Sequence, residues 1–100
     1  MTDDAPAEVT LRYEMGFTPA DFHRLLPAVA AMEFDAALNQ FSHAEAGRRW
    51  SLRLSDPRER VIGVVRLPLV DVTLQFQGYE RADVDTVVAR FFAHFRRGGG

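Results

Sequence analysis

Along residues 66–79, RLPLVDVTLQFQGY, apolar and polar side chains alternate once the chain has passed its proline. Val70, Val72, Leu74 and Phe76 fall on one side, and Asp71, Thr73, Gln75 and Gln77 on the other. Successive side chains of a strand face opposite ways, so this period predicts a strand with one buried and one wet face. Residues 8–14, EVTLRYE, set Val9, Leu11 and Tyr13 against Thr10, Arg12 and Glu14 in the same manner. RRWSLRLS, residues 48–55, turns Trp50, Leu52 and Leu54 inward and Arg49, Ser51 and Arg53 outward. DPRER, residues 56–60, has the composition of a loop. VIGVVRL, residues 61–67, follows as a strand with apolar side chains on both faces. Inward parity then shifts from odd (Val61, Val65, Leu67) to even (Val70 onwards), and Pro68 lies at the shift. A bulge, a bend or a tight turn near 67–69 accounts for both, and a turn joining two strands is preferred.

Two segments carry the longer helical period. GFTPADFHRLL places Thr18 at an N-cap, Pro19 at the first helical position and Asp21 at the third, with Phe17 and Phe22 spaced as a hydrophobic staple. Phe22, Leu25, Leu26 and Val29 form one stripe, and Pro27 ends or kinks the helix near Leu26 because it lacks an N–H. RADVDTVVARFFAHFRRGGG has an inner stripe of Val84, Val88, Phe91 and Phe95 flanked by Val87 and Phe92. Asp83 and Asp85 stand near its N-terminus, Arg96 and Arg97 in its last turn, and Gly98 at the residue after the C-cap. Residues 32–46, MEFDAALNQFSHAEA, fit either period. Met32, Phe34, Ala36 and Leu38 alternate as on a strand, Phe34, Leu38 and Phe41 recur as on a helix, and the strand reading is preferred, with Glu45-Ala46-Gly47 as a hairpin turn.

The order is therefore strand, helix, three or four strands, helix, with no internal repeat. Two apolar helices need one face of a sheet, which makes an α+β two-layer sandwich: a mostly antiparallel sheet of 4–5 strands with the helices on one side. One domain is expected over residues 8–97, with a disordered start at 1–7 and a flexible glycine tail at 98–100. With four late strands this element order resembles the TATA-binding-protein-like and helix-grip topologies, in which a long terminal helix crosses a curved sheet. The resemblance lies in element order, carries no shared motif, and implies no function.

Composition narrows the chemistry. The 100 residues contain no cysteine, which excludes disulfides, thiolate catalysis and cysteine-ligated metals. No apolar run is long enough to cross a bilayer, and the start, MTDDAPAE, is acidic, so a soluble cytoplasmic protein is expected. Net charge is −2, and all twelve cationic side chains are arginine, which with the alanine content reads as the mark of a GC-rich bacterial genome. No nucleophile-elbow, zincin, P-loop or dinucleotide motif occurs, so no catalytic residue, metal or cofactor is expected. His43 and Glu45 would share one side of a strand, but two ligands without a third make a poor metal site. His94 reads as a helix-flank residue. The C-terminal glycines invite comparison with the tails of ubiquitin-like modifiers, but they follow a helix directly and read better as its stop.

Three functional readings remain. Ile62 and Val64 have opposite parity to Val61 and Val65, so something is expected to cover them: a second copy, a partner protein or a curved-sheet pocket. This leads to a non-enzymatic interaction or accessory domain that self-associates through a sheet face, with Ile62 and Val64 at its interface. The alternative is a carrier of a small, partly apolar ligand held between sheet and terminal helix by Trp50, Phe76, Phe91 and Phe95, with an arginine at the mouth. The third is weak nucleic-acid binding. Residues 48–66 hold six arginines against two acids, a local charge of +4, and Arg49, Arg53, Arg58, Arg60 and Arg66 would supply the phosphate contacts. Trp50, which shares the parity of Leu52 and Leu54, is not free to stack on a base, which counts against this third reading.

Overall fold

The computed structural model describes residues 8–96. The calls on residues 1–7, on Arg97 and on the glycine tail lie outside them. Six strands, β1 (Val9–Met15), β2 (Glu33–Asp35), β3 (Gln40–Glu45), β4 (Arg48–Leu54), β5 (Arg58–Ile62) and β6 (Val65–Gln77), combine with two helices, α1 (Pro19–Leu25) and α2 (Arg81–His94). All the pairings are antiparallel, and the sheet order is β1-β6-β4-β3-β2, with β5 attached to β6. The two-layer α+β sandwich expected from the periodicity is present, with one strand more than expected.

The long β6 organises the sheet. Its second half pairs with β1 on one side, from Val9↔Phe76 to Met15↔Val70, and with β4 on the other, from Arg49↔Gln77 to Leu54↔Val72. Its even-numbered residues face the helices. Val70, Val72, Leu74 and Phe76 are buried there with Trp50, Leu52 and Leu54 of β4, and against Phe22, Leu26, Val84, Phe91 and Phe95. Trp50 stacks on Phe76 at 5.6 Å between ring centres, and Phe95 packs on Phe22 at 4.8 Å and on Phe91 at 4.6 Å. These rings close the layer between sheet and helices.

Local chemistry sets the ends of the elements. The Thr18 hydroxyl accepts from the Asp21 N–H and the Asp21 carboxylate accepts from the Thr18 N–H, a full capping box with Pro19 behind it. After Leu25 the chain tightens into a 3-10 turn, Leu26–Ala28, which accommodates Pro27. The ambiguous segment resolves into β2 and β3. Asp35 ties the turn between them by accepting from the N–H groups of Ala37 and Leu38. Ala46 and Gly47, at φ +48° and +79°, form the two-residue turn between β3 and β4 with both central residues left-handed. The last helix stops at His94, short of Gly98, yet Phe95 still reaches the core.

Three expectations around residues 56–69 need correction. Arg58–Ile62 is a strand, not a loop. VIGVVRL is not one strand: Ile62 pairs with Val65, and the chain reverses at Gly63–Val64, with Gly63 at φ +61° in the first turn position that favours glycine. No turn lies at 67–69, because β6 runs straight through Pro68. Proline survives there because β1 pairs only with residues 70–76, so one edge of β6 is open below Val70. A bulge lies opposite, where Ser55, Asp56 and Pro57 stand against Val70 and Asp71 between the β4 and β5 ladders. Ser55 closes it by donating its N–H to the Asp71 carbonyl at 3.0 Å and accepting the Asp71 N–H on its hydroxyl at 2.9 Å.

Candidate functional site

β5 and the first half of β6 form a two-stranded arm. β5 pairs with β6 alone and every one of its residues is exposed. The molecule measures 56 × 24 × 23 Å, an elongation to which such an arm contributes. The arm ends in aliphatic side chains: Val61 is 57%, Ile62 59%, Val64 98% and Val65 50% exposed. Ile62 closes the hairpin ladder and Val64 is its turn residue, so the two do not belong to a central strand covered on both faces. Their exposure arises from position in the arm.

The base of the arm is held by ions. Arg58 donates to both Asp71 oxygens, at 2.8 and 3.0 Å, and to Glu14 at 2.6 Å, while Arg60 reaches Glu14 at 3.5 Å. The Arg58 guanidinium holds the Asp71 carboxyl below the usual carboxylate range. Farther out, Arg66 pairs with Glu59 at 2.9 Å. All three arm arginines therefore have carboxylate partners. Arg49 and Arg53 lie on the same sheet face as Arg58 and Arg60, the one away from the helices, exposed, and among the described residues neither is in an ion pair. Of the five arginines of the nucleic-acid reading, Arg49, Arg53, Arg58 and Arg60 share the sheet face away from the helices, the last two in ion pairs, and Arg66 lies on the other face.

A second feature lies between the sheet and α2. A cleft of about 350 Å³ is lined by His43, Glu45, Arg48, Trp50, Tyr79, Asp83 and Arg90, with Val29 and Val87 among its apolar walls. The β3–β4 turn brings Arg48 beside Glu45, and Gly78 admits the close approach of the Arg48 backbone. The Arg48 guanidinium lies 4.4 Å above the centre of the Tyr79 ring and donates to Asp83 at 2.9 Å and Glu45 at 3.2 Å. Its Nε–H is buried without an acceptor. His43 sits with Nδ1 2.7 Å from the Ala31 carbonyl and Nε2 3.2 Å from Glu45. Both ring nitrogens face acceptors, so two hydrogen bonds form only when both carry protons. The hydrogen bond from His43, then that from Arg48, lowers the Glu45 pKa; burial raises that of Tyr79. Arg90 has no carboxylate within ion-pair distance among the described residues.

The four aromatics of the carrier reading are all buried. Phe76, Phe91 and Phe95 are buried in the core, and only Trp50 also lines the cleft. His43 and Glu45 do share a side of β3, as their spacing implies, but among the described residues no third ligand joins them. Sequence reasoning missed Arg48, Asp83 and Arg90 as a group. Arg48 and Asp83 are 35 positions apart, and nothing in the local pattern signals that they meet.

No family model, curated protein or solved structure matches this chain.

Proposed function

We propose that this is a non-enzymatic interaction domain that self-associates through the arm formed by β5 and the first half of β6. The observation that carries the reading is the exposure of Val61, Ile62, Val64 and Val65 at the end of a hairpin that the core does not support. A two-stranded hairpin wet on both faces is marginal in water, and covering its aliphatic side chains stabilises it. A polyanion is a poor occupant, because the arm arginines are already neutralised by Glu14, Asp71 and Glu59. Size-exclusion chromatography with light scattering tests the reading on wild type and Ile62→Asp. Wild type should gain mass with concentration while Ile62→Asp stays monomeric with an unchanged circular dichroism spectrum. A wild type that stays monomeric at every concentration ends the proposal.

The cleft supports a second reading, as a carrier of a small ligand. The unpaired Arg90 and the Glu45–Arg48–Asp83 network suit a polar, zwitterionic molecule better than an apolar one. Under this reading free amino acids at millimolar concentration shift the amide resonances of Arg48, Asp83 and Arg90, and Arg90→Ala removes those shifts. An amide spectrum that none of the twenty changes counts against it.

A further inference from the structure

The face that α2 turns to the cleft repeats at helical spacing: Asp83, Thr86, Val87 and Arg90. Opposite them the β3–β4 hairpin brings His43, Glu45, Arg48 and Trp50 to one side of the sheet, through the pairs His43↔Trp50 and Glu45↔Arg48. Hydrogen bonds are unevenly shared among these groups. Glu45 accepts from Arg48 and faces His43, and Asp83 accepts from Arg48, so both carboxylates are engaged. Three donors are not. The Arg48 Nε–H is buried without an acceptor. Tyr79 is only 2% exposed, yet among the described residues its hydroxyl has no hydrogen-bond partner. Burial raises its pKa, so the hydroxyl keeps its proton and can donate. Arg90 completes the set. A carboxylate would pair with it from three or four residues away along the helix, but those positions hold Val87, Thr86, Ala93 and His94. Asp83 stands seven residues back, about 10 Å along the axis.

Resting on the reading of the cleft as a ligand site, we infer that the group it recognises is a carboxylate, held by the Arg90 guanidinium and the Tyr79 hydroxyl, on a small ligand whose apolar body lies against Val29, Val87 and Trp50. A carboxylate only accepts, which is what unused donors call for. Buried donors gain most from it, because an unmet N–H or O–H out of water keeps its full desolvation cost. A guanidinium matches a carboxylate with two parallel hydrogen bonds. Charge agrees with a single anionic group. When both His43 nitrogens are protonated, the state that satisfies both acceptors, three cations stand against two carboxylates, and one more carboxylate balances the cleft. The amino group of a zwitterion is then dispensable, because Glu45 and Asp83 already bond Arg48. A volume of about 350 Å³ is at the small end of ligand sites and fits a molecule of amino-acid size.

Three probes with one carbon skeleton separate the ends of the ligand: leucine, isocaproate, which lacks the amino group, and isoamylamine, which lacks the carboxylate. Titrations followed by the amide resonances of Arg48, Asp83 and Arg90 give the dissociation constants. Leucine and isocaproate should bind within about three-fold of each other, and isoamylamine at least about ten-fold more weakly. Arg90→Gln should weaken isocaproate by at least about ten-fold, and Tyr79→Phe, which keeps the buried ring and removes only the hydroxyl, by about five-fold. If isoamylamine binds as tightly as isocaproate, if an amino acid binds and isocaproate does not, or if either substitution leaves the affinity for isocaproate unchanged, the carboxylate assignment is wrong and the cleft reading survives. If neither these probes nor any of the twenty amino acids moves the resonances, both fall.

Discussion

Gly78 shows how tightly one position can be determined. Its φ is +79°, and a Cβ there would lie 3.1 Å from both the Arg48 Cβ and the Gly47 carbonyl oxygen. Backbone strain and collision act together, so Gly78→Ala should cost about 2 kcal/mol, measured as a shift of the urea midpoint. Gly63 also has a positive φ but nothing within 4 Å, so strain alone opposes Gly63→Ala and the loss should be about 1 kcal/mol. At the base of the arm the relevant residue is Arg58. It lowers the Asp71 pKa, so the pair contributes stability fully above Asp71's ordinary value of 3.8 and loses it as pH falls through the depressed folded value. In Arg58→Ala the Asp71 carboxyl should titrate closer to 3.8, as read by its carbon chemical shift during an acid titration. An unchanged midpoint would mean that the ion pair is absent in solution. Single residues were also legible from sequence wherever the signal was local. The capping of α1 by Thr18, Pro19 and Asp21 needed only neighbours along the chain, and the structure contains it in full.

Elements were legible where period and burial coincide. The inward parity of Trp50, Leu52 and Leu54 and of Val70 to Phe76 matches the buried face, because those strands lie over the helices. The arm broke that rule. An apolar run reads as a covered strand, whereas VIGVV crosses a two-residue turn and its valines are exposed on a hairpin outside the core. The apparent parity shift at Pro68 has the same origin: β6 does not slip, but below Val70 it leaves the helices, and Leu67 and Leu69 are half-buried on the opposite face, which also carries Arg58 and Arg60. Gly63 was the available clue, since glycine followed by one residue between two β-branched pairs is a hairpin signal. Because the arm lies outside the core, it should be removable. Replacing residues 59–68 by Asn-Gly closes the hairpin at the Arg58–Leu69 pair and keeps Val70 and the Arg58–Asp71 bonds. The shortened protein should keep the blue-shifted emission of buried Trp50 and a cooperative melt, while losing self-association. Loss of cooperative folding would show that the arm belongs to the folding unit.

At the scale of the molecule, the two-layer α+β architecture followed from strands of period two and two amphipathic helices. The cleft did not, because His43, Arg48, Asp83 and Arg90 meet only through the packing of α2 on the sheet edge. Among the described residues no helix is long and apolar enough to cross a membrane. The arm carries the most exposed large hydrophobic side chains among the described residues, and the account stands on its being a contact between copies. Sedimentation equilibrium of wild type beside the shortened protein, from about 10 µM to about 1 mM, covers weak as well as tight association. Wild type should rise from 11.3 kDa towards twice that mass while the shortened chain stays monomeric. A wild type fixed at the monomer mass throughout, or a shortened chain that associates equally well, would contradict it.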